Sequence, residues 1–183
     1  MKIEFETYVV FISFITSFFA IFLSKGIIIG VPEIAQEFVM NNVIQNWIPT
    51  IFFLVVAVFT VPAGQISGKF GVKKSLLAGI IVYLIGSIGG CLSFSTETFL
   101  IFRIIQGAGV AFLNVSAMAM VVQAVKPQNR GKALGFTVTG VYLATSLSPV
   151  ICGFLVQNLG WRSMFYFVIP FLEIGRASCR ERV

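Results

Sequence analysis

The sequence predicts an all-α, polytopic bundle of membrane-spanning helices, and three observations carry the prediction. Of the 183 residues, 57% are hydrophobic and 11% charged. A water-soluble domain carries about 25% charged residues, and so few cannot clothe a surface that faces water. The apolar residues lie in charge-free runs, several as long as the ~20 residues that cross a hydrocarbon core. Small residues recur at four-residue spacing inside those runs, which is how helices approach one another in lipid, where hiding apolar surface gains nothing.

Taken in order, Thr7 to Ser24 is charge-free throughout and extends past Lys25 to Pro32. It exceeds the apolar core of a cleavable signal peptide, roughly 7–15 residues, and no small-residue cleavage site follows, so it reads as the first span. Phe38 to Gly68 (with a polar lead-in), Ser75 to Thr96, Ile104 to Val125 (lengthened backwards past Arg103) and Ala133 to Trp161 are charge-free too and read as four more. Ser163 to Leu172 is apolar but stops at about half the length of a crossing. The expected spans are about 7–31, 46–67, 75–95, 98–122, 133–157 and 163–172 onward, five full crossings and the first half of a sixth in one bundle over residues 1–172. Short links make sequence neighbours antiparallel hairpins. Residues 173–183 interrupt the last run with Glu173, Arg176, Arg180, Glu181 and Arg182. That segment reads as a non-native cloning or sequencing scar and is left out of the fold, which makes the chain a truncated piece.

The net charge is +6, with basic residues scattered between apolar runs, a pattern of membrane orientation rather than nucleic-acid binding. Lys2, Lys69, Lys73, Lys74, Lys126, Arg130 and Lys132 fall on one side, Arg162 and Lys25 on the other, so the first side is expected to be cytoplasmic, with the N-terminus there. Trp47 and Trp161 then fall at outer helix ends, where an indole suits the headgroup zone.

His and Asp are absent. Histidine metal clusters, Ser-His-Asp hydrolysis and histidine acid–base work are thereby removed, and neither an enzyme nor a cofactor or metal site is expected. Cys91, Cys152 and Cys179 make an odd count without pairing spacing; Cys91 and Cys152 read as packing residues.

Gly140, Ala144, Ser148 and Cys152 form a full small-residue stripe in the fifth span, beside Pro149 and Gly153. Gly107 and Ala111, with Gly109 adjacent, mark the fourth span, and Gly64 and Gly68 end the second. Plain helix packing explains any one stripe. Several stripes with a proline bend point to a bundle that changes shape. Arg103 is the sharpest residue, just over a turn inside the fourth span. A cation in hydrocarbon costs about 2.5–3.5 kcal/mol on insertion scales, so it should face the bundle interior or a watery cavity. Gln106 and Gly107 lie one turn away on its face. The functional reading is contact with an ion, a substrate or a titrating carboxylate; the structural alternative is an arginine satisfied by backbone carbonyls and water. Lys25 reads as a snorkelling side chain near the outer end of the first span. Glu33 and Glu37 follow Pro32 as a loop or short helix, able to pair with Arg103 or Lys25. Asn114-Val115-Ser116 matches a glycosylation sequon but lies mid-membrane and is discarded.

These stretches resemble the major facilitator superfamily. Gly64-Gln65-Ile66-Ser67-Gly68-Lys69-Phe70-Gly71-Val72-Lys73-Lys74 is similar to the family's cytoplasmic loop motif, with Gly68 where the family usually carries aspartate. Leu100 to Ala111 is similar to its fourth-span motif, in which the arginine and glutamine match Arg103 and Gln106 and the glycines Gly107 and Gly109. Ala144 to Gly153 resembles the antiporter motif: Pro149 and Gly153 fit, while Ala144, Ser148 and Cys152 are small replacements. Gly160-Trp161-Arg162 and the loop from Lys126 to Ala133, which includes Arg130, resemble the fourteen-helix drug:proton antiporter branch. That branch carries an aspartate in its first span; here Leu23 or Ser24 occupies its region.

The resemblance implies the N-terminal six-helix half of a major facilitator fold, built from two inverted three-helix repeats, with a missing C-terminal half as partner and a substrate site between them. It implies a multi-pass protein of the cytoplasmic membrane, embedded in the lipid bilayer, whose parent exports small amphipathic compounds or drugs against protons. Arg103, Gln106, Gly107 and Gly109 would belong to the pathway. Ala144, Ser148, Pro149 and Gly153 would form the antiporter motif, and Gly64, Lys69, Gly71, Lys73, Lys74 and Arg130 the cytoplasmic gate. Since no acid lies inside the five spans, coupling would fall to Glu33, Glu37 or the missing half. An importer or uniporter of a metabolite, and a non-transporting membrane subunit, are the other readings. The piece alone is expected to transport nothing.

Overall fold

The computed structural model describes the backbone of residues 2–170 and the side chains of residues 6–170. The helices are α1 (Lys2–Glu37), α2 (Asn42–Phe70), α3 (Val72–Cys91), α4 (Thr96–Ala124) and α5 (Arg130–Leu159), followed by a helical stretch at 163–170, here α6. A 3-10 turn, Pro127–Asn129, precedes α5. Helices α1 to α5 are each long and apolar enough to cross a membrane. The end of the expected sixth span and the segment 173–183 lie outside the described residues.

The helix ends follow from local chemistry. Asn41 caps α2 by accepting from Ile44 N at 2.9 Å, and Ser95 caps α4 by accepting from Thr98 N at 3.3 Å. Each satisfies a backbone donor that has no partner inside the helix. The expected span 75–95 runs past the end of α3, because Leu92 and Ser93 turn the chain back and Ser95 opens α4. The linker expected between the second and third spans is a single residue: Gly71, at φ +94°, both closes α2 and opens α3. Helix α1 runs unbroken through Pro32 to Glu37, so Glu33 and Glu37 sit in its last turns and not in a loop.

The bundle is not a simple succession of hairpins. Helices α3 and α4 are antiparallel: Gly79 packs at Leu113, Gly86 at Gln106, and Gly90 near Phe102. Helix α1 instead packs mainly on α5, and α2 on α4. Phe14 meets Gly140, Phe22 meets Ser148 and Gly26 meets Cys152, so α1 and α5 ascend together as parallel neighbours. In the apolar windows of α1, α3 and α4, 56% of residues are buried, against 22% in α2 and α5, so these two form the open flanks. One end of the bundle carries Lys69, Lys73, Lys74, Lys126, Arg130 and Lys132; the other carries Glu33, Glu37, Glu97 and Arg162.

Candidate functional site

Arg103 faces inward from α4 and is 1% exposed. Its Nη1 donates to Gln106 Oε1 one turn along, and Gln106 Nε2 donates to Ser87 Oγ on α3 at 2.8 Å. Ser87 Oγ in turn donates to Tyr83 O at 2.8 Å. The guanidinium lies 4.8 Å from the centre of the Phe52 ring on α2. Nε and Nη2 of Arg103 and the Tyr83 hydroxyl are buried without a hydrogen-bond partner. A buried cation thus sits at the junction of α2, α3 and α4, held by one amide, one ring face and no carboxylate among the described residues.

Glycines make this junction possible. A Cβ on Gly86 would stand 2.6 Å from Gln106 N, and one on Gly109 2.5 Å from Tyr83 N. A Cβ on Gly107 would stand 2.9 Å from Phe52 O. Gly107 and Gly109 are therefore positions of close helix approach, pressed against α2 and α3. Gly86, Ser87, Tyr83 and Phe52 join the site without standing out in the sequence. Gly79 and Gly86, two turns apart on one face of α3, are the sequence signal that points to them.

The small-residue stripe of α5 is buried at Gly140, Ala144, Ser148 and Cys152. Ser148 Oγ donates to Phe22 O on α1 at 2.7 Å. Pro149 is exposed and Gly153 half-buried, so the small residues serve the α1 interface while Pro149 stands off it. At the basic end, Lys69, Gly71 and Lys74 are exposed, Gly64 and Lys73 half-buried, and Gly68 has open space around it. Arg130 Nε donates to Val125 O in its own linker, 3.1 Å away, rather than to the α2–α3 corner.

Two expectations are corrected at the opposite end. Glu37 pairs neither with Arg103 nor with Lys25 but with Arg162, Oε1 to Nη2 at 2.8 Å, because the unbroken α1 carries it to the α5–α6 turn. Glu33 lies beside it with Oε2 buried and no hydrogen-bond partner. Trp161 is not an interfacial anchor: at 1% exposure it packs among Phe38, Phe99 and Phe165 and donates Nε1 to Glu37 Oε2 at 2.7 Å. Lys25 stands roughly three turns, about 18 Å along the axis, before α1 closes at Glu37. Its Nζ lies 5.2 Å from the centre of the Phe53 ring of α2.

Residues 13–175 match the family description Major Facilitator Superfamily. The chain is 30% identical over 139 residues to the riboflavin transporter RibZ of Clostridioides difficile, covering 76% of this chain and 30% of that one. It is 29% identical over 174 residues to the multidrug resistance protein Stp of Mycobacterium tuberculosis, covering 90% and 32%. It spans about a third of the length of these curated relatives. A crystal structure of the peptide transporter POT in complex with sulfate superposes with a TM-score of 0.84 at 17% identity, over 94% of this chain and 37% of that one; at that identity the likeness is one of fold. By the family match and this architecture together, the chain belongs to the Major Facilitator Superfamily and carries the helical bundle of a transporter's N-terminal half.

Proposed function

We propose that this bundle is half of a proton-coupled exporter of small amphipathic compounds in the cytoplasmic membrane, with its lysine-rich end and N-terminus in the cytoplasm. The observation that carries transport is Arg103: a buried guanidinium with two unpartnered nitrogens lowers stability, and a cost of that kind is retained where a pathway needs the charge. Export is supported by the likeness to Stp, whose name is that of a multidrug resistance protein. The open flanks of α2 and α5 supply the faces on which a C-terminal half docks, with the substrate between the halves. The positive-inside bias supports the orientation. Transport of a metabolite is the second reading, favoured by the likeness to a riboflavin transporter.

The test is flux in proteoliposomes holding the full-length transporter under an imposed proton gradient, with a panel of amphipathic aromatic dyes. Gradient-driven export that Arg103→Ala abolishes is expected. Flux that ignores the gradient, or that survives Arg103→Ala, overturns the reading and favours a facilitator or a non-transporting subunit. The 183-residue chain alone is expected to move none of the dyes.

A further inference from the structure

The interior of the bundle holds two cations and no anion among the described residues, whose carboxylates are Glu6, Glu33, Glu37 and Glu97, all in the end turns of α1 and α4. Lys25 and Arg103 lie deeper, on consecutive rings of one helix: Lys25 Nζ is 5.2 Å from the centre of Phe53, Arg103 Cζ is 4.8 Å from that of Phe52, and the two rings are 5.3 Å apart. The one ion pair among the described residues, Glu37–Arg162, uses neither. Arg103 is sealed; Lys25 is half-buried, and the ring beneath it, Phe53, is 39% exposed on the open flank of α2.

We propose that Lys25 is a substrate-contacting residue and that the compound carried by this bundle bears an acidic group (a carboxylate, sulfonate or phosphate) beside an apolar or aromatic body. The inference deepens the transport reading above and rests on it. The Lys25 ammonium lies over the Phe53 ring of α2, next to the ring that carries Arg103, so the two cations share one level of the bundle. A cation this deep is costly without a counter-charge, and the described spans supply none. The position selects by sign: an entering anion gains attraction from both cations in a low-dielectric surround, whereas an entering cation is repelled by both. Phe53 offers an apolar platform beside the ammonium for the body of the same molecule. The competing account is that Lys25 pairs with a carboxylate elsewhere in the full-length protein, and it is an outcome of the test.

The experiment uses the full-length transporter, purified and then placed in phosphatidylcholine vesicles, whose headgroups carry no net charge. The probes are carboxyfluorescein, an aromatic anion, and ethidium, an aromatic cation, with binding read by fluorescence anisotropy. Carboxyfluorescein is expected to bind more tightly than ethidium. Lys25→Met is expected to weaken it about tenfold or more, while Lys25→Arg retains it within about threefold. Lys25→Gln takes the place of Lys25→Met if that variant does not elute as a monodisperse protein. Preference for ethidium, binding of neither probe, or unchanged carboxyfluorescein binding with lowered stability in Lys25→Met (the internal-pair outcome) overturns the proposal. Carboxyfluorescein that binds through Lys25 but is not moved by a proton gradient overturns the exporter reading and leaves this one standing. Gradient-driven export of ethidium that ignores Lys25 does the reverse.

Discussion

Arg162 Nη2 lies 2.8 Å from Glu37 Oε1, and this one guanidinium ties together the ends of three helices. Its Nη1 donates to Glu37 Oε2 at 2.9 Å, closing a two-bonded pair with the end of α1. Its Nε and Nη2 donate to the carbonyls of Cys91 and Ser93 at 3.1 and 3.2 Å, where α3 runs out of intrahelical donors. The ring of Trp161 stacks beneath it, 4.3 Å away, at the start of the α5–α6 turn.

Loss of Arg162 should therefore cost more than loss of Glu37. The pair is 31% and 41% exposed, so its Coulomb part is worth about 1 kcal/mol or less. Hydrogen bonds from a charged donor to otherwise unmet carbonyls are worth about 1.5–3 kcal/mol. Glu37→Gln, which keeps an acceptor, is expected to lower stability by about 1 kcal/mol and Arg162→Met by about 3 kcal/mol. Thermal unfolding of the purified full-length protein reads both, and equal losses would show that the ion pair outweighs the capping of α3.

Among the described residues, Val39 is the one non-glycine residue with a positive φ, and there the backbone invites improvement. It closes α1 at φ +50°, with Met40 N bonded to Ala35 O at 2.9 Å and Val39 N to Gln36 O at 3.4 Å, the pattern of a glycine-type helix stop. A β-branched residue in that conformation is strained by about 1–2 kcal/mol. The side chain is 90% exposed and contributes little packing. Val39→Gly is expected to stabilise the protein by about 1 kcal/mol, a gain that a higher midpoint of thermal unfolding would register and a lower one refute.

The glycines divide into two classes with opposite expected signs. A Cβ at Gly86 or Gly109 meets backbone atoms of the facing helix, so Gly86→Ala or Gly109→Ala must push α3 and α4 apart at a cost of about 1–3 kcal/mol each. Gly68 and Gly135 are helical with nothing within 4 Å of the added carbon. There Ala gains up to about 1 kcal/mol in helix propensity. Circular-dichroism melts of the four single variants separate the classes; a stabilised Gly109→Ala would contradict the close α3–α4 approach.

Much of this architecture is legible in the sequence because lipid imposes a one-dimensional rule. A crossing must be long and uncharged, and the runs around Phe52, Tyr83 and Ala144 satisfy it without knowledge of any partner. Arg103 stands out for the same reason, as a violation of the rule. What the rule cannot deliver is distance between helices. Trp161 obeys the local pattern of a headgroup anchor, yet Phe38, Phe99 and Phe165 from three other elements close over it. The charge-free run stops at Lys25, but α1 stays helical as far as Glu37. The α5 stripe announces close packing, while its parallel partner α1, contacted through Phe14, Phe22 and Gly26, is fixed only by the whole bundle.

The Arg103–Gln106 pair yields the sharpest separation of stability from function. Gln106→Leu removes the acceptor of Nη1 and leaves three guanidinium nitrogens buried without partners, so it is expected to destabilise by about 2–3 kcal/mol. Replacing both partners by apolar residues removes the stranded charge with its acceptor, so Arg103→Met with Gln106→Leu should recover most of that loss and stand near the wild type. The coupling between the two substitutions is then about 2 kcal/mol plus whatever Arg103→Met costs alone, read from a double-mutant cycle of unfolding free energies. Ser87 keeps its bond to Tyr83 O in every arm, which confines the difference to the guanidinium and its acceptor. If the double variant is as stable as the wild type yet moves none of the dyes in vesicles, the arginine is retained for transport at the expense of stability. A double variant no more stable than Gln106→Leu would instead make Arg103 a packing element of the α2–α4 contact through Phe52.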